Sequence, residues 1–201
     1  AAAQHSESYY SIFSHIPGLK GVAPSDAYTA KGLLAACIRD DDPVVFFEHK
    51  GLYGISGPVP EEPYVLPIGK ARTIREGTDI TLVGISKMTW VANDAAEALA
   101  KEGISCEVID LLSISPIDYD HINESVRKTH RLVVVDEDTP VCSLASEICA
   151  RVAEEEFDYL DAPPSRVTAP HTPVPYSRAV ENEYMPNETR VIATVKKLIN
   201  R

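Results

Sequence analysis

A chain of 201 residues is long enough for one large domain or two small ones, and its apolar share of 44% is ordinary for a globular protein. Its 30 acidic and 19 basic side chains give a net charge of −11, which repels phosphate backbones, so we expect no nucleic-acid partner. The sequence has no apolar run of the roughly 18 residues that a membrane span needs. It also shows no signal peptide and no Cys-x-x-Cys pair. We therefore expect a cytoplasmic protein that has no membrane partner.

The first part of the chain predicts a small strand–helix–strand unit. A short strand is expected over 19–22, and Ser25 is expected to cap a helix over 26–39, where apolar residues recur at helical spacing. The acidic turn before Pro43 should end this helix. Four apolar residues in a row at 44–47 then predict a fully buried strand. We expect the helix to connect the two strands as a crossover, so that they lie parallel in one sheet.

A dense run of glycine and proline interrupts the pattern after residue 50. Seven of these residues fall between positions 51 and 67, a density that neither a helix nor a central strand tolerates. The sequence therefore predicts three parts. Residues 1–57 form one α/β unit, residues 58–67 form a linker, and residues 68–201 form a second domain.

Strands and helices alternate in the second domain. Strands are expected over 80–85, 106–112, 131–135 and 166–169, and the segments between them have helical periodicity. We expect Asp118, Ser143 and Asn187 to cap three of the helices. Alternation of this kind predicts an α/β fold, with a mainly parallel sheet and helices on both faces.

Two nucleotide-binding motifs are absent from the sequence, and their absence limits the possible cofactors. The sequence contains neither a Gly-x-Gly-x-x-Gly fingerprint nor a phosphate-binding loop. Polar residues do follow the predicted strands, at the edge where open α/β sheets usually bind ligands. Considered alone, they favour the simpler interpretation that they cap helices and satisfy loop backbone. These residues are Ser86, Lys87, Ser113, Asp136, Glu137 and His171.

His5 is the most informative of the remaining residues. It stands between two hydrogen-bonding side chains, Gln4 and Ser6, and an imidazole that titrates near neutrality suits proton transfer. A catalytic histidine needs a rigid frame, however, and chain termini are usually frayed. A lone histidine is weak evidence for catalysis, so by its chemistry alone His5 is better interpreted as a loop histidine in water.

Several short sequence blocks occur in order along the whole chain. They include Gln4-His5-Ser6, His15-Ile16-Pro17-Gly18, Glu48-His49-Lys50, Val135-Asp136-Glu137 and Pro173-Val174-Pro175-Tyr176. Together these blocks resemble the beta subunit of the thiamin-diphosphate-dependent 2-oxo acid dehydrogenases. The block that begins at His15 and residues 168–177 are most similar to the members of that family that act on acetoin.

The resemblance implies a domain pair, a cofactor and partners. Residues 1–57 would be the C-terminal part of a thiamin pyrimidine-binding domain, and residues 68–201 would be a transketolase C-terminal domain. Thiamin diphosphate and magnesium would be held mainly by an alpha subunit and by a region N-terminal to this chain, in an α2β2 assembly that also docks a dihydrolipoamide acyltransferase. The chain alone would then be inactive, and its exposed apolar faces predict self-association.

The resemblance also implies site residues. His5 matches the active-site histidine of the family, and Gln4 and Ser6 would support it near the cofactor. A potassium site of some members falls on Cys37, Ile38, Asp40 and Asp42, chiefly through backbone carbonyls at the end of a helix.

The function implied by the resemblance is acetoin cleavage, with transfer of the two-carbon unit to the lipoamide of the acyltransferase. Two alternatives stay open. One is the beta subunit of a pyruvate or branched-chain 2-oxo acid dehydrogenase, and the other is a non-catalytic module used only for assembly. A relative of transketolase or of deoxyxylulose phosphate synthase fits the blocks less well.

Overall fold

Two β-sheets organise the chain, and the computed structural model describes them over residues 5–200. The helices are α1 (Tyr10–Ser14), α2 (Ala27–Arg39), α3 (Lys87–Ala100), α4 (Tyr119–Thr129), α5 (Leu144–Glu155), α6 (Arg178–Tyr184) and α7 (Glu188–Ile199). The strands are β1 (Lys20–Val22), β2 (Val44–Phe46), β3 (Arg72–Arg75), β4 (Ile80–Gly84), β5 (Cys106–Asp110), β6 (Ser113–Ser115), β7 (Leu132–Val135) and β8 (Ser165–Val167). Within this part of the chain, no helix has the length and apolar character needed to cross a membrane.

The larger sheet confirms the predicted fold class. Its strand order is β3-β5-β4-β7-β8, and every neighbouring pair is parallel except β3 with β5. Alternate residues of β4 face opposite sides, as the two-residue period of a strand requires. Leu82 packs in the cluster that contains residues of α3 and α7, whereas Val83 packs in the cluster that contains residues of α4 and α5. The sheet is therefore covered on both faces.

The smaller sheet joins the two predicted domains. Its order is β2-β1-β6, with β1 parallel to β2 and antiparallel to β6. The strand β6 lies in the predicted second domain, and a three-residue strand carries too short a pattern to be seen in the sequence. The expectation that 44–47 is fully buried is wrong. β2 lies at the edge of this sheet, and all three of its residues are half-buried.

The structure confirms two of the three caps predicted for the second domain. Ser143 and Asn187 accept the backbone N–H groups of Ser146 and Arg190. The prediction that Asp118 caps α4 is wrong, because its side chain makes no capping bond. It accepts the backbone N–H of Ala71 instead, since the chain before β3 brings that donor within 3.1 Å.

The predicted cap of α2 is also wrong, by one residue. Asp26 caps the helix in a reciprocal arrangement with Thr29, and Ser25 donates its hydroxyl to Asp110 over 2.5 Å. Arg72 connects the same groups, since its guanidinium lies 2.6 Å from Asp26 and 3.0 Å from Asp110. Thr89 completes the set with a bond of 3.0 Å to the other oxygen of Asp110. The start of α2 is thereby fixed to the end of β5.

The proline-rich connection packs along α2. The rings of Tyr64 and Tyr28 stack with their centroids 4.8 Å apart, and the backbone N–H of Leu66 donates to the carbonyl of Gly32 over 3.1 Å. A Cβ atom at Gly32 would stand 2.6 Å from Leu66 Cγ and 2.7 Å from Tyr64 Cε2. A glycine is therefore required where the connection crosses the helix.

Replacing Gly32 by alanine tests this close approach. We expect Gly32→Ala to lower the free energy of unfolding by about 1 to 2 kcal/mol, because overpacking costs about 1–3 kcal/mol and helix propensity returns at most about 1. Gly54→Ala is the matched control, since a Cβ atom at Gly54 meets nothing within 4 Å. Urea denaturation of both variants measures the difference, and equal stabilities would contradict the packing described for Gly32.

Asp110 gives a pH dependence with a definite sign. Burial, opposed in part by Arg72, raises the pKa of Asp110 to about 6 from its usual value of 3.8. The folded state therefore holds this proton more tightly than the unfolded chain does, so the free energy of unfolding falls as pH rises from about 4 to about 6. Each pKa unit corresponds to about 1.4 kcal/mol.

We expect Asp110→Asn to flatten that fall, because an amide does not titrate and can still bond Thr89 and Ser25. Asp94→Asn, at an exposed position of α3, should keep the wild-type slope. Urea titrations at pH 4.5 and 6.5 compare the three proteins. A wild-type slope in Asp110→Asn would show that another group controls the dependence.

Candidate active site

A cleft of about 850 Å³ opens where the beginning of the chain meets the second domain. We call it the His5 cleft, and its volume lies in the range of small-molecule sites. It brings together four of the candidate site residues from the sequence, namely His5, Ser6, Lys87 and Glu137. Other polar residues that line it include Ser8, Tyr10, His49, Lys50 and Glu181.

His5 lies at this cleft with an exposed side chain. Gln4, its expected neighbour in the site, lies outside the described residues. The hydroxyl of Ser6 donates to Glu181 Oε1 over 2.6 Å, so Ser6 fixes the segment beside His5 to α6. The frame around His5 thus comes from the second domain.

Glu137 is the hydrogen-bonding centre of the cleft. Its Oε2 atom lies 2.8 Å from His49 Nε2, and its Oε1 accepts the hydroxyl of Tyr10 over 3.2 Å. The backbone N–H of Gly51 donates to His49 Nδ1 over 3.0 Å. Since Nδ1 is used as an acceptor, the proton of the neutral ring lies on Nε2 and is donated to Glu137. The side chains of Glu137 and His49 are only 10% and 16% exposed, so water competes little for this bond.

Tyr10 is held as a donor by its surroundings. It is buried, and its ring meets that of Phe47 edge to face with centroids 5.1 Å apart. Burial is the main cause that raises the pKa of Tyr10 well above its usual value, and the charges of Glu137 and Asp136 act in the same direction. The phenol therefore stays protonated and keeps donating to Glu137.

The residues on either side of Glu137 fix the end of β7. Asp136 accepts the backbone N–H groups of Asp138 and Ala145 at 3.0 and 3.3 Å, and burial raises the pKa of Asp136 to about 7. Asp138 accepts the hydroxyl of Ser11 over 3.0 Å. The carboxyl end of this parallel strand therefore meets α1 directly, at the edge where open α/β sheets bind ligands.

Ser8 carries an unused polar atom in the cleft. Its Oγ is shielded from solvent and has no hydrogen-bond partner in the part of the chain that the structure describes. An unsatisfied buried hydroxyl costs about 1–3 kcal/mol, which a bound ligand with a suitable polar atom would offset. No pattern in the sequence marks this serine, because its isolation depends on the surrounding fold.

Two lysines line the same cleft, and neither forms an ion pair with any acidic side chain among residues 5–200. They are Lys50, in the 3₁₀ turn after β2, and Lys87, at the start of α3. Both contribute positive charge to a cleft that also contains several carboxylates. The cleft can therefore accept a ligand with an anionic group.

Sequence patterns indicate only part of this arrangement. Glu137 stands out as a polar residue after a predicted strand, whereas His49 stands out only as a member of a sequence block. His49 follows β2 just as Glu137 follows β7, so the same strand-end argument could have found it. Tyr10 and Glu181 carry no such signal, because nothing in the sequence predicts α1 or α6.

The residues expected at a potassium site lie at the end of α2, away from the His5 cleft. Lys20 Nζ is 2.8 Å from Asp40 Oδ1 and 3.0 Å from Asp42 Oδ2, and it lowers the pKa of Asp40. These two carboxylates are paired with the Lys20 ammonium. Among the residues described, no three metal-binding side chains cluster. Potassium binding at Cys37, Ile38, Asp40 and Asp42, chiefly through backbone carbonyls, stays a prediction.

The chain is similar to known proteins along its whole length. Residues 69–191 match the model of the transketolase C-terminal domain, and residues 1–56 match that of the transketolase pyrimidine-binding domain. A solved structure described as a split gene transketolase, an inactive beta4 tetramer, aligns with a TM-score of 0.78 and 25% identity, over 95% of this chain and 61% of that one.

Curated relatives confirm the resemblance to beta subunits. The beta subunit of acetoin:2,6-dichlorophenolindophenol oxidoreductase is 50% identical in Bacillus subtilis and 49% in Cupriavidus necator, over 99% and 98% of this chain. The pyruvate dehydrogenase E1 component subunit beta-1 of Arabidopsis thaliana is 49% identical over 99% of the chain. The chain spans 58%, 58% and 56% of these three proteins. It belongs to the transketolase C-terminal domain family, and its first 56 residues match part of a transketolase pyrimidine-binding domain.

Proposed function

We propose that the chain forms the His5 side of a thiamin-diphosphate-dependent active site. The whole protein would be the beta subunit of an enzyme that cleaves acetoin and transfers the two-carbon unit to lipoamide. The observation that carries the proposal is the His5 cleft itself, in which the histidine expected from the family stands at a cleft of ligand-binding size. The segment that bears it is bonded to the second domain through Ser6 and Tyr10.

The cleft fits the reacting end of such a cofactor. Ser8 offers an unpartnered buried hydroxyl, and His5 offers an exposed imidazole. When bound, thiamin diphosphate would supply a nucleophilic carbon and an electron-withdrawing ring that stabilises a carbanion on the substrate. The diphosphate and its magnesium would be held mainly by an alpha subunit, in keeping with the missing phosphate-binding motifs.

His5 would hold and move a proton at its imidazole. Acetoin cleavage releases an aldehyde from a carbon that bears a hydroxyl, and transfer to lipoamide generates a thiol, so both steps need a proton carrier. An imidazole that titrates near neutrality suits this role, and proton transfer of this kind contributes about 10²–10⁴-fold to rates.

The acetoin assignment rests on the curated relatives, two of which are named for acetoin at 50% and 49% identity. A pyruvate dehydrogenase beta subunit is nearly as similar, at 49%. One observation favours that second candidate: Lys50 and Lys87 have no ion pair within residues 5–200 and could bind the carboxylate of a 2-oxo acid.

The proposed partners are an alpha subunit, in an α2β2 assembly, and a dihydrolipoamide acyltransferase. The alpha subunit is proposed from the beta-subunit names of the relatives, and the acyltransferase from the resemblance to the 2-oxo acid dehydrogenases. The similar split gene transketolase is described as a tetramer of beta chains. We propose that this chain also self-associates when its alpha partner is absent.

Turnover by the assembled enzyme decides the substrate. The intact beta subunit, combined with its alpha subunit, magnesium and thiamin diphosphate, should reduce 2,6-dichlorophenolindophenol faster with acetoin than with pyruvate. The ratio of kcat/KM values is the measurement, because it reports transition-state discrimination. Preference for pyruvate would assign the second candidate, and no turnover with any 2-oxo acid or acetoin would favour a module used only for assembly.

His5→Ala tests the catalytic role within the same assembly. We expect lipoyl acetylation to fall about 100-fold or more, since an exposed proton carrier is removed. The free energy of unfolding should stay within about 0.5 kcal/mol of wild type, because surface substitutions seldom exceed that. His171→Ala is the control, since His171 is exposed and does not line the cleft. Equal activities of the two variants would exclude His5 from the chemistry.

A further inference from the structure

Three side-chain bonds tie the segment that bears His5 to the second domain. Ser6 donates to Glu181 on α6, Tyr10 donates to Glu137 after β7, and Ser11 donates to Asp138 in the same loop. Residues 6–11 are thus held at three points on elements that come more than a hundred residues later in the chain.

Glu137 differs from the other two acceptors. Its side chain is 10% exposed, and its two oxygens serve two different segments, since one accepts from Tyr10 and the other from His49. His49 belongs to the loop that follows β2 and is itself fixed by the backbone N–H of Gly51. The Glu137 carboxylate therefore connects three parts of the wall of the His5 cleft: the segment of Tyr10, the loop of His49 and the loop after β7.

We propose that Glu137 is a positioning residue for His5. Its carboxylate, held by His49 as the Nε2–H tautomer, receives the Tyr10 hydroxyl and so sets where the segment carrying His5 lies against the cleft. This inference rests on the catalytic role proposed for His5.

The geometry also excludes His49 as a second proton carrier in this arrangement. Both ring nitrogens are occupied, one by Glu137 at 2.8 Å and the other by Gly51 at 3.0 Å. A general base needs a free nitrogen within hydrogen-bond reach of the substrate proton. Glu137 and His49 therefore have a structural role, and they affect the reaction only by positioning His5.

The size of the effect follows from the tolerance of catalytic geometry. A misplacement of about 1 Å can cost about 100-fold in rate. Glu137→Gln keeps the shape of the side chain but puts an amide N–H₂ group opposite either the Tyr10 hydroxyl or the His49 N–H. If the N–H₂ group faces His49, the bond to His49 is lost, and if it faces Tyr10, the phenol has to turn and accept instead of donate. In both cases the charged acceptor shared by the two segments is gone, and bonds to a charged group are about twice as strong as neutral ones, so the attachment of the segment is weakened.

We expect Glu137→Gln to lower kcat for lipoyl acetylation about 10- to 100-fold in the assembled enzyme, with KM changed less than about twofold. A readout independent of activity is ¹⁵N-histidine NMR of the 201-residue chain. The wild-type His49 ring should show the Nε2–H tautomer pattern. In Glu137→Gln the ring signals of His49 should shift, because its acceptor is no longer charged, and the ring signals of His5 should move toward those of a free histidine.

Glu107→Gln is the matched control. Glu107 is also a buried carboxylate of the larger sheet, but its partners are Lys128 and the backbone N–H of Gly77, and it does not line the cleft. Loss of the ion pair with Lys128 should lower the free energy of unfolding while leaving the His5 and His49 signals and kcat as in wild type. Equal losses of kcat in the two variants would mean general destabilisation and would overturn the proposal.

The outcomes separate this proposal from the proposed function. If His5→Ala keeps full activity, the catalytic role fails, whereas the NMR spectra still report whether Glu137 places His5. If His5→Ala is inactive but Glu137→Gln leaves both the His5 signals and kcat unchanged, the positioning role alone is wrong.

Discussion

The buried carboxylate of Asp110 is the constraint around which the two parts of the chain are arranged. It lies at the end of β5, has no exposure to solvent, and receives bonds from Arg72, Ser25 and Thr89. An ionised group in such a place is tolerated only with a partner and several hydrogen bonds. Arg72 supplies the partner and also reaches Asp26 at the start of α2. Satisfying one carboxylate therefore fixes the orientation of α2 on the larger sheet.

The His5 cleft depends on that junction. Its walls come from both sides: His49 follows a strand of the small sheet, and Glu137 follows a strand of the large one. Their bond of 2.8 Å exists only when the two sheets keep their relative position. The His5 cleft therefore lies between two structural units, where binding sites are common.

Much of the fold was predictable because strong local patterns coincide with buried elements. The strand β7 is a continuous apolar run, β4 is interrupted only by Thr81, and the caps Ser143 and Asn187 stand just before amphipathic helices. Ser25 and Asp118 show where local chemistry is insufficient. Both have a residue type that suits a cap, yet each bonds a group from a distant element. The edge position of β2 could not be predicted either, since apolar composition does not specify which neighbours are present.

The candidate site was predictable to a similar extent. His5 and Glu137 carry chemistry that a sequence displays, in a motif or at a strand end. The tautomer of His49 and the isolation of Ser8 depend on atoms brought together only by folding, such as the N–H of Gly51. For this reason a family resemblance can point to His5 but not to the contacts around it.

The connection between the two predicted domains has a practical meaning for handling the protein. Its proline and glycine content suggests a hinge, yet Tyr64 stacks on Tyr28, Leu66 bonds Gly32, and β6 adds a strand to the sheet of the first unit. A protease that cut this connection would leave the two fragments still joined by β-sheet and by Arg72. Expressing either half separately would expose the apolar surface of Leu33, Leu112 and Ile114 to water. The segment that looks most like a boundary is therefore a poor place to divide the protein.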